Sequence, residues 1–177
     1  METRIDVLNH LIKENSYTSY LEIGWGPSFE GVECKKKTSV DPNHSGQGII
    51  TMKSDEFFSE YNDHVDIIFV DGDHSYQQVK KDVTAALKHL KKGGCVVMHD
   101  TCPQDEKYAG IEWCGDPWKV VTELRNSRKH LTFETYPFDH GITVIRKTSK
   151  ANQPTGLTPR NFAEWNVVKD KIMNFVG

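Results

Sequence analysis

Apolar residues along this chain follow two alternating rhythms. Ile5, Leu8, Leu11 and Ile12 fall at helical spacing, so an amphipathic helix is predicted over 3–14, stopped at Asn15-Ser16. Residues 17–23 read as a strand that runs into Gly24-Trp25-Gly26-Pro27, with a short turn or helix over 28–32. Residues 37–40 and 46–52 are predicted as the second and third strands, the second closed by Asp41-Pro42-Asn43. Ser54 or Asp55 is placed as the N-cap of a helix through Phe58. Val65–Val70 is apolar at nearly every position, as expected of a parallel strand covered on both faces. A long helix over 76–91 follows, capped by Ser75 and ended by Gly93-Gly94, with Val79, Val83, Ala86, Leu87 and Leu90 on one face. Residues 95–98 form another apolar strand, 103–116 a loop, and 117–125 a helix. Leu131–Tyr136 and 141–145 are late strands, joined closely enough to be antiparallel.

Strands alternating with helices predict an α/β fold: a doubly wound, mostly parallel sheet in three αβα layers, closed by an antiparallel hairpin. Residues 1–148 are expected to form that body, with 1–16 as its N-terminal helix. Residues 149–159 are polar, with two prolines and a glycine, and read as a linker. Phe162, Trp165, Val168, Ile172 and Phe175 then mark an amphipathic helix in 149–177 that packs on the body or on a partner subunit, which leaves a homodimer open.

Composition narrows the function classes. The chain has 177 residues, 37% of them hydrophobic and 27% charged, which suits a folded domain rather than a disordered segment. Its 25 acidic and 22 basic side chains give a net charge of −3, which argues against nucleic acid as a partner. No apolar run approaches the roughly 20 residues that span a bilayer. The N-terminus predicts no secretory leader. The four cysteines, Cys34, Cys95, Cys102 and Cys114, form no CxxC pair, so a reducing cytoplasm is the expected compartment.

In doubly wound sheets, ligands sit beyond the carboxyl ends of the strands. The polar, glycine-rich clusters of this sequence fall at those ends. Glu22-Ile23-Gly24-Trp25-Gly26 lets a backbone approach a ligand closely, although a tight strand-to-helix turn needs the same glycines. Asp41 follows Glu22 by 19 residues and could accept both hydroxyls of a ribose, or simply serve the turn before Pro42. Asp71-Gly72-Asp73-His74 and His99-Asp100 end the next two strands. Asp71 and Asp100 could share a cation through oxygen ligands, and His74 could act as general base on a hydroxyl, because imidazole titrates near neutrality. Loop capping by Asp73 beside a solvent-facing His74 is the plainer alternative. His99, Cys102 and Cys114 fit no compact zinc spacing. Tyr108, Trp113 and Trp118 could form a substrate lid or ordinary packing, and His140 reads as a turn residue near the same end of the sheet.

Leu21–Gly26, Val40-Asp41-Pro42, Phe69–Tyr76 and Lys91–Thr101, taken in order, resemble class I S-adenosylmethionine-dependent methyltransferases. The likeness is greatest to a small bacterial group related to sugar and natural-product O-methyltransferases, and it extends from residue 19 to about 147. It implies a Rossmann-like fold and S-adenosylmethionine as cofactor. Glu22, Gly24 and Gly26 would line its methionine part, Asp41 the ribose, and Ser54 and Asp55 the adenine, with Asp71, Gly72 and His74 completing the cofactor site. It implies further that His74, Asp71 and Asp100 are catalytic, and that Asp71, His99 and Asp100 could bind Mg²⁺. The metal-dependent members carry an acid where this chain has His99. They also carry small or polar residues at Trp25 and Pro27. The expected activity is methyl transfer to a hydroxyl of a small molecule, with sugars among the acceptors. The irregular glycine turn motivates one alternative, a binding or accessory module of the same fold. Metal-assisted hydrolysis is the other.

Overall fold

The computed structural model describes residues 1–176. Helix α1 (Arg4–Glu14) starts at a capping box, in which Thr3 and Asp6 satisfy each other's backbone amides, and it buries Val7, Leu8, Leu11 and Ile12. Strand β1 (Ser19–Ile23) leads through the glycine turn into α2 (Pro27–Gly31), whose leading proline needs no amide partner. Then come β2 (Lys36–Val40), β3 (Ile49–Ile50), α3 (Ser54–Glu60), β4 (Val65–Val70), α4 (Tyr76–Lys88) and β5 (Leu90–Met98). Helix α5 (Pro117–Ser127), β6 (Leu131–Tyr136), β7 (Ile142–Lys147) and α6 (Phe162–Met173) complete the chain.

The seven strands form one sheet in the order β3-β2-β1-β4-β5-β7-β6, parallel except for β7, which runs antiparallel to both β5 and β6. Two apolar clusters lie on opposite faces. One joins α1 and α2 to Tyr20, Ile67, Phe69, Cys95 and Val97. The other joins α3, α4, α5 and α6 to Leu21, Ile23, Ile68, Val70, Val96 and Met98. Alternate residues of β1, β4 and β5 therefore feed opposite cores, and the three-layer expectation is met. The strand order reverses between β1 and β4, and their carboxyl ends open the crevice described below.

Several boundaries differ from expectation. Helix α4 stops at Lys88, and Gly93-Gly94 lie inside β5 rather than closing the helix. The register between β4 and β5 slips between Val65 and Ile67, so the glycines sit in an irregular stretch of paired strand instead of a helix terminus. The third strand is only two residues long, because the link from β2 leaves no room for a helix to support it. Lys53 occupies the N-cap of α3, and neither it nor Ser75 at α4 caps with its side chain.

The tail packs on this chain's own body. Trp165, Ile172 and Met173 of α6 are fully buried, and the Trp165 and Trp118 rings lie 5.1 Å apart. Phe175 lies beyond the helix, where it bridges Thr135 of β6. Asn126 pins the linker, accepting from the Thr155 hydroxyl at 2.8 Å and the Gly156 amide at 3.0 Å. Trp118, a candidate for the lid, is thus a core residue. Because Trp165 fills the space between α5 and α6, Trp165→Ala should cost about 3–5 kcal/mol, read as a lowered urea midpoint. A midpoint within experimental error of the wild type would show that α6 does not support the body.

Candidate active site

The glycine turn is set by crowding. Gly24 has φ +94°, and a Cβ there would lie 2.2 Å from the Asp71 carbonyl oxygen. A side chain at this position would push β1 and β4 apart where the crevice opens. Ser39 donates to the Gly24 carbonyl at 2.8 Å and fixes the turn from β2.

A cleft of 480 Å³ opens beside this turn, lined by Gly24, Asp41, Ser54, Asp55, Asp71 and Gly72 among others. Asp41 accepts from the amides of Trp25 (3.1 Å) and Asn43 (2.7 Å) and faces His44 at 2.9 Å. Burial works against its charge, but these donors outweigh it and hold the carboxyl below its ordinary range. Gln78 donates to Ser54, Asp55 and Asp82, each at 3.1 Å. Asp82 is buried at this wall, and burial pushes its pKa up to about 6. Gln78 and Asp82 escaped the sequence reading. The available signal was Asp82 itself, an acid set among the apolar face positions Val79, Val83 and Ala86 of α4.

Glu22, Gly26 and His74 do not line the cleft. The Glu22 carboxylate points into the protein, where it accepts from Ser28 Oγ at 2.7 Å and from the Tyr20 hydroxyl. It is 1% exposed, and burial raises its pKa to about 7 despite those two donors.

The second part of the site lies where β4 and β5 end. Asp71, His74 and Asp100 each offer a ligand atom, and these atoms lie within 4.8 Å of one another. His74 Nε2 stands 3.3 Å from Asp100 Oδ2 and 4.0 Å from Asp71 Oδ1. Its Nδ1 donates to the Trp113 carbonyl, which assigns the proton to that nitrogen and aims Nε2 at the carboxylates. Gly115 lets the loop approach, since a Cβ there would lie 2.4 Å from the His74 carbonyl oxygen. Asp100 has φ +57°, a left-handed turn that an aspartate tolerates and that directs its side chain back toward the ring.

His99 touches the two carboxylates of that trio and is almost fully enclosed. Its Nδ1 is 3.2 Å from Asp71 Oδ1 and 3.3 Å from Asp100 Oδ1. Its Nε2 is 2.8 Å from the Asp139 carbonyl and 2.7 Å from Arg4 Nη1. Burial alone would lower the pKa of this ring, but Asp100, Asp139 and Asp71 overcome it and raise it to about 11. Arg4 also faces Asp71 Oδ2 at 3.8 Å and Asp139 Oδ1 at 3.3 Å. Burial opposes the charge of Asp71, and His99 and Arg4 more than restore it, holding the carboxyl below its ordinary range. Arg4 and Asp139 come from distant segments, and no local pattern marked them.

The donor set does not fit the Mg²⁺ that the resemblance implies. Magnesium asks for near-octahedral oxygen ligation. Here one oxygen of each carboxylate already receives His99, the remaining Asp71 oxygen faces Arg4, and the third candidate ligand is a nitrogen. His99, Cys102 and Cys114 form no ligand cluster among the described residues. Trp113 is half exposed beside His74, with the Tyr108 ring 5.4 Å away. His140 holds the turn whose carbonyl accepts from the Cys102 amide at 2.7 Å.

The fold and the strand-end crevice define a Rossmann-like protein with a nucleoside-sized cleft. A family model described as a methyltransferase domain matches residues 12–101, just over half of the chain, and the chain belongs to that family. Protein R132 of Acanthamoeba polyphaga mimivirus, described as uncharacterized, is 47% identical over 75 residues. That match takes in 42% of this chain and spans less than a third (31%) of the relative. Among solved structures, the O-methyltransferase TomG from Streptomyces achromogenes, in complex with SAM, superposes with a TM-score of 0.56 at 15% identity, over 82% of this chain and 80% of that one. MycE, a methyltransferase of mycinamycin biosynthesis solved with Mg and SAH, gives a TM-score of 0.52 at 16% identity, over 90% of this chain and 54% of that one. Among the described residues, no helix is long and apolar enough to cross a membrane.

Glu22 makes stability depend on pH. Below its ordinary value of 4.5 both folded and unfolded chains hold the proton; up to about 7 only the folded chain keeps it. Stability from this group is therefore full at low pH and falls as pH rises through that window. Glu22→Gln should remove the slope, so wild type should lose stability relative to the variant in urea unfolding as pH rises. Parallel curves would show that Glu22 ionises normally.

Proposed function

We propose that this chain transfers a methyl group from S-adenosylmethionine to a hydroxyl oxygen of a small-molecule acceptor, with sugars among the acceptor classes. The carrying observation is the convergence of Asp71, His74 and Asp100 next to a cleft bordered by Gly24 and Asp41. The O-methyltransferase TomG shares the fold and was solved with SAM, which supports the reaction class. The residues fit the cofactor: Asp41 for the ribose hydroxyls, Ser54 and Asp55 for the base, and the crowded backbone of Gly24 for close approach. Gln78 and Asp82 extend the polar wall at the base. Residues 1–148 act as the catalytic body, with the packed tail as its brace.

When bound, the cofactor supplies an electrophilic methyl whose bond to sulfur breaks as the bond to oxygen forms. The chain's own task is to position the acceptor and remove its proton. His74 accepts that proton at Nε2, because the Trp113 carbonyl holds the other nitrogen as a donor. Asp100 and Asp71 then stabilise the imidazolium so formed. The Trp113 loop that holds His74 also carries Tyr108, whose ring meets the Trp113 ring edge-on at 5.4 Å.

Asp41→Ala should weaken S-adenosylhomocysteine binding about tenfold or more in calorimetry, the worth of a charged hydrogen bond. Unchanged affinity would remove Asp41 from the cofactor site. His74→Ala should retain S-adenosylhomocysteine binding and lower transfer by about a hundredfold or more across a panel of hydroxylated acceptors. Transfer at the wild-type rate would exclude His74 as the base.

A further inference from the structure

We propose that this active site works without a divalent metal, because the His99 ring already stands between Asp71 and Asp100 while Arg4 faces the other Asp71 oxygen. The proposal rests on the methyl-transfer reading for the step it serves, while the charge arrangement is a matter of geometry. A bridging cation would take one oxygen from each carboxylate. In this protein, one oxygen from each faces His99 Nδ1, at 3.2 and 3.3 Å.

The ring cannot leave that position cheaply. It is 5% exposed and held on its far side by the Asp139 carbonyl and Arg4 Nη1. Arg4 is itself anchored, with its backbone amide 2.8 Å from Asp139 Oδ2 and its Nε 3.8 Å from Asp71 Oδ2. An added dication there would sit within a few ångströms of the Arg4 guanidinium and be repelled by it.

The family resemblance sharpens the point. Where the metal-dependent members carry an acid, this chain carries His99. His99 and Arg4 are positioning residues: His99 faces one oxygen of Asp71 and one of Asp100, and Arg4 faces the other oxygen of Asp71.

The test is a Mn²⁺ titration of the full chain, with the free ion read by electron paramagnetic resonance, alongside methyl-transfer assays with EDTA. Wild type should show no stoichiometric site at millimolar Mn²⁺. His99→Asp should gain one Mn²⁺ per chain, bound at least an order of magnitude tighter than any wild-type association, and Mg²⁺ should raise its melting temperature. Adding Asp71→Asn to that variant should remove the gained site. One Mn²⁺ bound per wild-type chain and lost in Asp71→Asn would overturn the proposal, as would a folded His99→Asp that binds none. Wild-type transfer that EDTA abolishes and Mg²⁺ restores would also overturn it, even if His99→Asp fails to fold. A chain that binds no S-adenosylhomocysteine fails the methyl-transfer reading instead, and the Mn²⁺ counts still decide this one.

Discussion

Three carboxylates meet at the carboxyl rim of the sheet, and Arg4 and His99 hold them there. Asp71 ends β4, Asp100 ends β5, Asp139 sits in the hairpin turn, and Arg4 opens α1. Carboxylates this poorly hydrated are costly unless paired and hydrogen-bonded. Arg4 and His99 satisfy that requirement, and in doing so they fasten the N-terminal helix, two central strands and the late hairpin to one point. The crevice keeps its shape because those elements cannot drift independently. The same pairing leaves Asp100 Oδ2 directed at His74, so the contacts with His99 and with His74 use different atoms of one residue.

The support under the site is unequal. Four helices back the face that carries Trp118 and Trp165, and they bury a continuous cluster from Leu21 to Met173. On the opposite face, α2 spans five residues, and β3 at the sheet edge spans two. The glycine turn and Asp41 lie at this thinner end. Compensation comes from local bonds: Ser39 to Gly24, Asp41 to the Trp25 amide, and Lys37 to the carbonyls of Phe29, Glu30 and Val32. The Trp25 ring rests 4.4 Å from His44 and closes the turn from outside. The half of the crevice at Gly24 and Asp41 is thus held mainly by hydrogen bonds, and the acid–imidazole half by charge pairs and packing.

Local pattern reached the elements because burial leaves a period in the sequence. The 3.6-residue spacing of Leu8, Leu11 and Ile12 reflects a helix covered on one side, and the apolar run of Val65–Val70, broken at Asp66, reflects a strand covered on both. It misjudged Gly93-Gly94, which look like a helix terminus but lie in a slipped strand, since a glycine's φ freedom serves both. The candidate site was legible where a strand end fixes a residue's place: Gly24, Asp41 and Asp71 border the crevice, and Asp100 stands beside Asp71 and His74. It was illegible where a side chain had two places to point. Glu22 turns inward to Tyr20 and Ser28, and His99 sets one nitrogen against Asp71 and Asp100 and the other against Asp139 and Arg4.

Sequence alone, then, determined the order of strands and helices and the rim on which polar loops gather, because both follow from periodicity and from the topology of parallel strands. Only the tertiary structure decided which of those polar groups face one another. Arg4 and Asp139 lie far apart along the chain, and their contact exists because α1 and the hairpin fold over the same two strand ends. Charge pairing between distant segments leaves no periodic trace, so it is visible only after the chain has closed on itself.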